Sequence, residues 1–313
     1  MSPRCYLAAL LAVLLVAETA ANDGLLSIDV DGQALVSYQA KPLVNPEGGK
    51  HFNGSNFIHP LKTPSGFVVT DLQPSDHRHH FGLWWPWKFV EVEGRKILCW
   101  ELQQRDGIVR AVESRVTEKG FFALSEYLDR KAPEGPRRLL TEQLDVSVVR
   151  DFNDTVDGYL LNLGIVQAPT VDTPVTVFNY RYSGFSLRGT PFWNKENSTV
   201  LTSEGLSYDK ADGSRARWVR IQGLTDTGST AGILLMTHPN NFDYPELLRT
   251  WNSKRRNGAI FVNMNSVQER SWVLEPQKEY RRNYGVFVYD GSLSADAAEA
   301  VWTAYERQAT LAN

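Results

Sequence analysis

The sequence predicts an all-β fold: a large antiparallel two-sheet β-sandwich with one C-terminal helix. Three observations predict it. Apolar and polar residues alternate along most of the chain, short turn sequences separate these stretches, and a helical pattern appears near the C-terminal end. Alternation with a period of two is typical of strands with one buried face, and many such strands in one unit favour two packed sheets.

The alternation is clearest in two stretches. In residues 143–149 the apolar side chains Leu144, Val146 and Val148 share one face, and residues 259–265 alternate in the same way. Asp-Gly and Lys-Gly pairs between such stretches are typical turn sequences. From the start of the alternation to the final helix, the pattern gives roughly fifteen to twenty strands.

The helical pattern covers residues 292–309. Ser294 is a suitable N-cap, Asp296 lies in the first turn, and Val301 and Tyr305 recur at helical spacing. Because no internal repeat, low-complexity tract or long linker interrupts the chain, residues 22–313 are expected to form a single domain.

The first 21 residues have the features of a signal peptide. Arg4 precedes an apolar stretch, and small residues follow it, with cleavage expected after Ala21. The apolar stretch is about a dozen residues long, whereas a membrane-spanning helix needs roughly 20. We therefore expect a secreted or periplasmic protein with no membrane partner. The net charge of −3, with both signs interspersed, also argues against a nucleic-acid partner.

Residues 74–87 read PSDHRHHFGLWWPW and contain three of the six histidines. In an extended segment, His77 and His79 would point to one face and His80 to the other. Two imidazoles at this spacing can hold a divalent metal ion, with Asp76 orienting one of them. Alternatively, a histidine with a pKa near neutrality can act as a general acid or base. The residues leave both roles open, besides the possibility of surface histidines without a role.

The same stretch carries Trp84, Trp85 and Trp87, three of the nine tryptophans. Binding pockets for small ligands are lined mainly by apolar and aromatic side chains with a few polar groups. We therefore expect these three indole rings to stack on the faces of sugar rings.

Two further residues are candidates for the same site. His59 precedes a proline, which favours an extended backbone, and a turn at residues 63–66 leads into a predicted strand at residues 67–72. His59 is thus expected to face the histidines across a hairpin. Glu101 follows Trp100, and a carboxyl group beside an indole in a partly dry pocket would have a raised pKa, as a general acid requires.

Arg188, His238 and Asn240 complete the predicted site as residues that bind the substrate. They belong to the stretches GFSLRG and THPNNFDYPE, which combine polar and aromatic residues. The planar guanidinium of an arginine suits carboxylates and pairs of hydroxyl groups. Chance proximity of these residue types is the alternative.

Together, FIHPLKTPSGFVVT, DHRHHFGLWWPW, CWE, GFSLRG and THPNNFDYPE resemble the PmoA family of secreted bacterial proteins, whose function is largely uncharacterised. The resemblance does not imply a methane mono-oxygenase subunit, which is an integral membrane protein. It implies a role in sugar catabolism and a supersandwich similar to that of aldose mutarotases and several polysaccharide lyases. The NHxYFNL signature of mutarotases is absent, so mutarotation is not implied.

The leading hypothesis is a secreted carbohydrate-active enzyme that cleaves a glycosidic bond by hydrolysis or β-elimination. His59, His77, His79 and His80 would supply the acid and base or hold a divalent metal, with Glu101 or Asp76 as the carboxylate partner. One alternative is a glycan-binding module without turnover. The other is a metal-dependent oxidase that uses the histidine cluster.

Overall fold

The computed structural model describes residues 24–45, 47–150, 152 and 154–311. The predicted signal peptide, residues 1–21, lies outside the described residues. Over the described part of the chain the predicted fold class is confirmed: antiparallel strands dominate, and the α-helix lies at the C-terminal end.

The strands follow one another along the chain in this order: β1 (Leu25–Val30), β2 (Gln33–Gln39), β3 (Phe57–Leu61), β4 (Leu83–Trp84), β5 (Phe89–Val92), β6 (Arg95–Leu98), β7 (Gly107–Thr117), β8 (Gly120–Asp129), β9 (Arg137–Arg150), β10 (Gly158–Pro169), β11 (Val175–Val177), β12 (Phe185–Arg188), β13 (Ser198–Thr202), β14 (Trp218–Leu224), β15 (Thr230–Thr237), β16 (Leu247–Thr250), β17 (Phe261–Asn265), β18 (Trp272–Leu274) and β19 (Tyr280–Asp290). The helix α1 spans Ala295–Leu311, and short 3-10 helices span Lys50–Phe52, Leu102–Gln104 and Arg255–Gly258.

The strands form three antiparallel sheets. The first has seven strands in the order β1-β2-β3-β4-β12-β17-β16, and the second has eight in the order β13-β14-β15-β19-β10-β9-β8-β7. These two are the layers of the predicted sandwich. A third sheet of four strands, β18-β11-β5-β6, adds to the two that the sequence suggested.

The main core lies between the two large sheets. Leu187 and Val262 of the seven-stranded sheet share one cluster of buried residues with Leu144, Val146 and Val148 of β9. The alternating face predicted for β9 is therefore the face that is buried. A fully buried aliphatic side chain contributes roughly 1.5–3 kcal/mol to folding.

Two of the three tryptophans of residues 74–87 lie in buried apolar clusters, Trp85 in the main core and Trp87 in a second cluster. Trp85 and Trp87 are fully buried. The indole Nε1 of Trp85 donates to Oε1 of Glu142 over 2.8 Å, and that of Trp87 donates to Oε1 of Gln167 over 2.9 Å. A buried indole needs such a partner for its N–H. The expectation that these two rings stack on a sugar is wrong, because neither ring reaches the surface.

The helix α1 covers part of the outer face of the eight-stranded sheet. Val301, Trp302 and Tyr305 pack in one cluster with Phe287 of β19. Oγ of Ser294 accepts a hydrogen bond from the backbone N–H of residue 297 over 3.1 Å, so Ser294 is the N-cap that the sequence predicted. No helix among the described residues is both long and apolar enough to cross a bilayer.

The outer face of the seven-stranded sheet carries an aromatic layer instead of a helix. Phe57 of β3, Trp84 of β4 and Phe261 of β17 pack there with Trp100 and Trp251. The histidine-rich segment lies on this layer, since the ring of His80 contacts those of Trp84 and Phe261. The fold thus provides an apolar base under a polar segment.

Candidate functional site

The histidine segment forms two consecutive turns. The backbone N–H of His77 donates to the carbonyl of Pro74 and that of His80 to the carbonyl of His77, each over 2.9 Å. The segment is therefore not extended, and the alternate faces that an extended segment would give the histidines do not occur. Proline, serine and aspartate at its start are typical turn residues, and they outweigh any tendency to form a strand. As a result, the rings of His77, His79 and His80 lie together, with centroids 4.7 to 5.5 Å apart.

His80 forms the floor of this cluster. It is 4% exposed, and its ring stacks on Phe261 at 5.0 Å and lies 5.1 Å from Trp84. Burial holds the pKa of His80 well below the usual value, and the neighbouring histidines and arginines add to the effect. His80 lies at the bottom of the cavity that these side chains line, whereas Trp84 packs beneath it and does not line the cavity, contrary to the predicted contact with a sugar.

Asp76 joins the cluster to two arginines. Its carboxylate lies 3.1 Å from Nη2 of Arg188, 3.4 Å from Nε of Arg256 and 3.3 Å from Nδ1 of His77. Burial opposes the charged form, but Arg188, His77 and Arg256 together outweigh it and hold the pKa of Asp76 below its usual value. Asp76 is thus a carboxylate that orients His77 and Arg188, as the sequence anticipated for one imidazole.

Glu101 belongs to a second polar group, made with Lys88 and Tyr182. Nζ of Lys88 donates to Oε1 of Glu101 and, over 3.2 Å, to the hydroxyl of Tyr182. The Tyr182 hydroxyl in turn donates to Oε1 of Glu101 over 3.2 Å. Lys88 thus supplies a cation beside Glu101 that the sequence pattern did not indicate. Burial, followed by the charge of Glu101, raises the pKa of Tyr182, so the phenol keeps its proton.

His79 lies between these two groups. Its side chain is partly exposed, and burial lowers its pKa to about 4, with Glu101 opposing the shift and His77 and Lys88 adding to it. At neutral pH His79 is therefore an uncharged imidazole that can accept a proton. Tyr182, whose hydroxyl keeps its proton, lines the same cavity, so the site contains both a base and a proton donor.

These side chains surround a cavity of about 130 Å³. Five stretches of the chain form its walls: the histidine turns, the loop after β6, the segment before β12, the segment around the end of β16 and the start of β17. The sequence reasoning missed six of the ten lining residues, because segments far apart in the sequence bring them in and no motif marks them. The full lining is His77, His79, His80, Glu101, Arg181, Tyr182, Arg249, Trp251, Arg255 and Phe261.

Arg188, predicted to bind the substrate, lies next to Trp251 beside the cavity and is not part of its lining. Its guanidinium lies 4.7 Å from the centre of the Trp251 ring, and Nη1 is a buried atom without a hydrogen-bond partner in the described part of the chain. Oε2 of Glu101 is unpaired in the same sense. Buried polar atoms are normally paired, so unpaired ones around a cavity indicate where a polar ligand could bind.

Three predicted residues lie away from the cavity. His59 faces Thr70, with Nδ1 2.8 Å from its hydroxyl, and burial lowers the pKa of His59 to about 4. His238 lies under α1, with Nε2 3.4 Å from the carbonyl of Glu306, and the N–H of Asn240 donates to Nδ1 of His238. His238 and Asn240, predicted to bind the substrate, lie beside α1 on the other large sheet and do not line the cavity. His59 does not line the cavity either.

The metal hypothesis finds no support in the arrangement of the donors. Within the described ranges, no three His, Cys, Asp or Glu side chains are grouped so that they could hold a metal ion. His77 and His79, the predicted ligands, meet edge to face with ring centroids 5.5 Å apart.

Comparison with known families identifies the family to which the chain belongs. The chain belongs to the Family of unknown function (DUF6807). Its profile matches residues 25–303, which overturns the resemblance to the PmoA family. The curated proteins include no match to the chain.

Two solved structures are among those found to be similar to the chain. A polysaccharide lyase is 11% identical with a TM-score of 0.38, and the match covers 80% of this chain and 32% of the lyase. A galactose mutarotase related enzyme from Lactobacillus acidophilus is 10% identical with a TM-score of 0.44, covering 86% of this chain and 97% of that one. The chain spans about a third of the length of the lyase. Function has to be argued from the site, because one fold hosts many activities.

Proposed function

We propose that the chain is a carbohydrate-active enzyme that cleaves a glycosidic bond in the cavity beside His79. One observation carries the proposal: an uncharged imidazole, a tyrosine hydroxyl held by Lys88 and Glu101, and several arginines line the same cavity. A sugar offers hydroxyl groups to charged side chains and carbon–hydrogen faces to aromatic rings. Trp251 and Tyr182 supply such rings here.

In this proposal His79 is the general base and Tyr182 is the proton donor. The uncharged ring of His79 accepts a proton from the sugar, and the Tyr182 hydroxyl gives one to the departing oxygen. Lys88 and Glu101 position the phenol from behind. His77 and Asp76 fix the wall on the opposite side of His79. Groups placed in this way typically contribute about 10²–10⁴-fold to the rate.

The geometry favours β-elimination over hydrolysis. Hydrolysis by a pair of carboxyl groups requires one of them to keep its proton. Asp76 is paired with Arg188 and Arg256, which hold its pKa low, and Glu101 is paired with Lys88. An uncharged imidazole that removes a proton from carbon fits the observed groups better.

A screen of soluble polysaccharides with the wild-type protein and His79→Ala tests the proposal. We expect cleavage of at least one substrate, a loss of about 10²–10⁴-fold in kcat/KM for His79→Ala, and a melting temperature close to that of the wild type. His51→Ala is the matched control, since His51 is exposed and does not line the cavity. Full activity of His79→Ala would refute the assignment of the base. Retention of a glycan by the wild type without product would identify a binding module instead.

A further inference from the structure

The cavity is more positively charged than the chain as a whole. Arg181, Arg249 and Arg255 line it, against the single carboxylate of Glu101, which already pairs with Lys88. The whole chain has a net charge of −3. An excess of positive charge in one cavity of an acidic protein indicates an anionic ligand.

Two of these arginines have no carboxylate partner among the described residues. The guanidinium of Arg255 lies 4.6 Å from the centre of the Trp251 ring, and that of Arg181 lies 5.5 Å from the Tyr182 ring. By contrast, Nη1 of Arg249 lies 2.6 Å from Oδ2 of Asp212. Arg181 and Arg255 thus have hydrogen-bond donors free for a ligand.

Arg255 is also crowded by like charges. Its pKa is lowered by burial first and then by Arg249, Arg256 and Arg181, with Asp76 opposing. Holding several guanidinium groups together costs free energy unless an anion joins them. The fold keeps them at the mouth of a cavity that also contains the base of the proposed reaction.

We propose that Arg181 and Arg255 bind the carboxylate of an acidic sugar, so that the substrate is a polysaccharide containing uronic acid. This inference rests on the proposed function and names its substrate class. The planar fork of a guanidinium matches a carboxylate in a bidentate manner, whereas a neutral sugar offers no comparable partner. A sulfate ester shares the same charge, so the test must separate the two anions.

A carboxylate held in this way makes the adjacent carbon acidic. His79 removes the proton from that carbon, the electron pair forms a carbon–carbon double bond, and the bond from the next carbon to the glycosidic oxygen breaks. The departing oxygen takes a proton from Tyr182, and exchange with solvent restores both side chains. No water or oxidant is consumed. Arg181 and Arg255 stabilise the charge that develops on the carboxylate during the reaction.

Calorimetric titration of the full chain with defined sugars tests this inference. The probes are glucuronate and galacturonate, the neutral sugars glucose and galactose, and galactose 6-sulfate. We expect the uronates to bind at least tenfold more tightly than the neutral sugars and the sulfate ester. Arg181→Gln and Arg255→Gln should each weaken uronate binding about tenfold without changing the affinity for neutral sugars, which corresponds to about 1.4 kcal/mol.

Arg281→Gln is the matched control, because Arg281 is an exposed arginine of β19 that does not line the cavity. Equal affinity for acidic and neutral sugars would overturn the inference, and so would a preference for the sulfate ester. Uronate binding that depends on both arginines, without cleavage of any polyuronate, would support the inference and refute the proposed enzyme. Cleavage of a neutral glycan that depends on His79 but not on the arginines would support the proposed enzyme and refute the inference about its substrate. The ultraviolet absorbance of the new double bond identifies elimination.

Discussion

Lys88 is a cation in an unusual place for a lysine. Its side chain is 5% exposed, and Nζ lies 4.8 Å from the centre of the Tyr182 ring and 5.3 Å from that of Phe89. Burial lowers the pKa of Lys88, and Glu101 opposes the shift. A buried ion pair of this kind adds little net stability, but removing one partner leaves an uncompensated charge.

We expect Lys88→Met to destabilise the fold by about 3–5 kcal/mol, because the largely buried Glu101 would lose the cation that pairs with it. The double variant Lys88→Met with Glu101→Gln should recover much of this loss. Urea denaturation at pH 7 measures both. Arg137→Met, which removes an exposed pair with Glu93, should cost no more than about 1 kcal/mol. A loss for Lys88→Met as small as that for Arg137→Met would show that the pair is not buried in solution.

Residue types in the sequence indicated part of this site. His77, His79, Glu101 and Arg188 were predicted together, because imidazoles, a carboxylate beside an indole and an arginine are recognisable wherever they occur. Arg181, Tyr182, Trp251 and Arg255 were not named, since nothing local distinguishes them from other surface arginines and aromatic residues. Their role depends on loops that meet only in the folded chain.

At the scale of elements, long strands were easier to predict than short ones. β9 is 14 residues long, and the alternation of apolar and polar residues along it shows which of its faces is buried. The strand predicted at residues 67–72 forms only isolated bridges, which join Val68 to Lys62, Thr70 to Gly189 and Leu72 to Phe81. Gly189 is distant in the sequence, so the local pattern could not predict its pairing with Thr70.

The tryptophan-rich element shows the same limit. Trp84, Trp85 and Trp87 follow one another closely, yet the structure distributes them among three different apolar clusters. The acceptors that fix the two buried indoles, Glu142 and Gln167, lie on β9 and β10. Aromatic content was a good guide to the core of this element but not to the surface that a ligand meets.

At the scale of the whole molecule, buried histidines link folding to pH. Burial lowers the pKa of both His59 and His79 from 6.5 to about 4. Between these values the unfolded chain binds more protons than the folded chain, so stability falls as the pH falls. Glu246 acts in the opposite sense, because burial raises its pKa from 4.5 to about 7 and the folded chain then holds the extra proton. The histidines outnumber it, since the pKa values of His77 and His80 are lowered as well.

We therefore expect the free energy of unfolding to decrease from pH 6.5 to pH 4, by at most about 1.4 kcal/mol per pH unit for each histidine. Urea denaturation at several pH values measures the slope. His59→Gln should make the slope shallower without affecting turnover, because His59 does not line the cavity. His79→Gln should make the slope shallower and also reduce turnover. A slope that neither variant changes would mean that other groups govern the acid sensitivity.

The molecule offers a ligand a second, larger opening. A groove of about 720 Å³ lies between the ends of the two large sheets, and its described lining contains Phe67, Phe192, Asp226 and Asp290 but no histidine or arginine. Its size exceeds that of the cavity beside His79. The proposed chemistry, however, needs a base and cations for an acidic sugar, and only the smaller cavity combines them among the described residues.

A crystal structure of His79→Ala with a bound oligouronate tests the central claim most directly. We predict one sugar ring in the cavity beside Trp251, with its carboxylate within hydrogen-bonding distance of Arg181 or Arg255. Electron density for the oligouronate in the groove beside Phe192, with none in the cavity beside Trp251, would contradict the account.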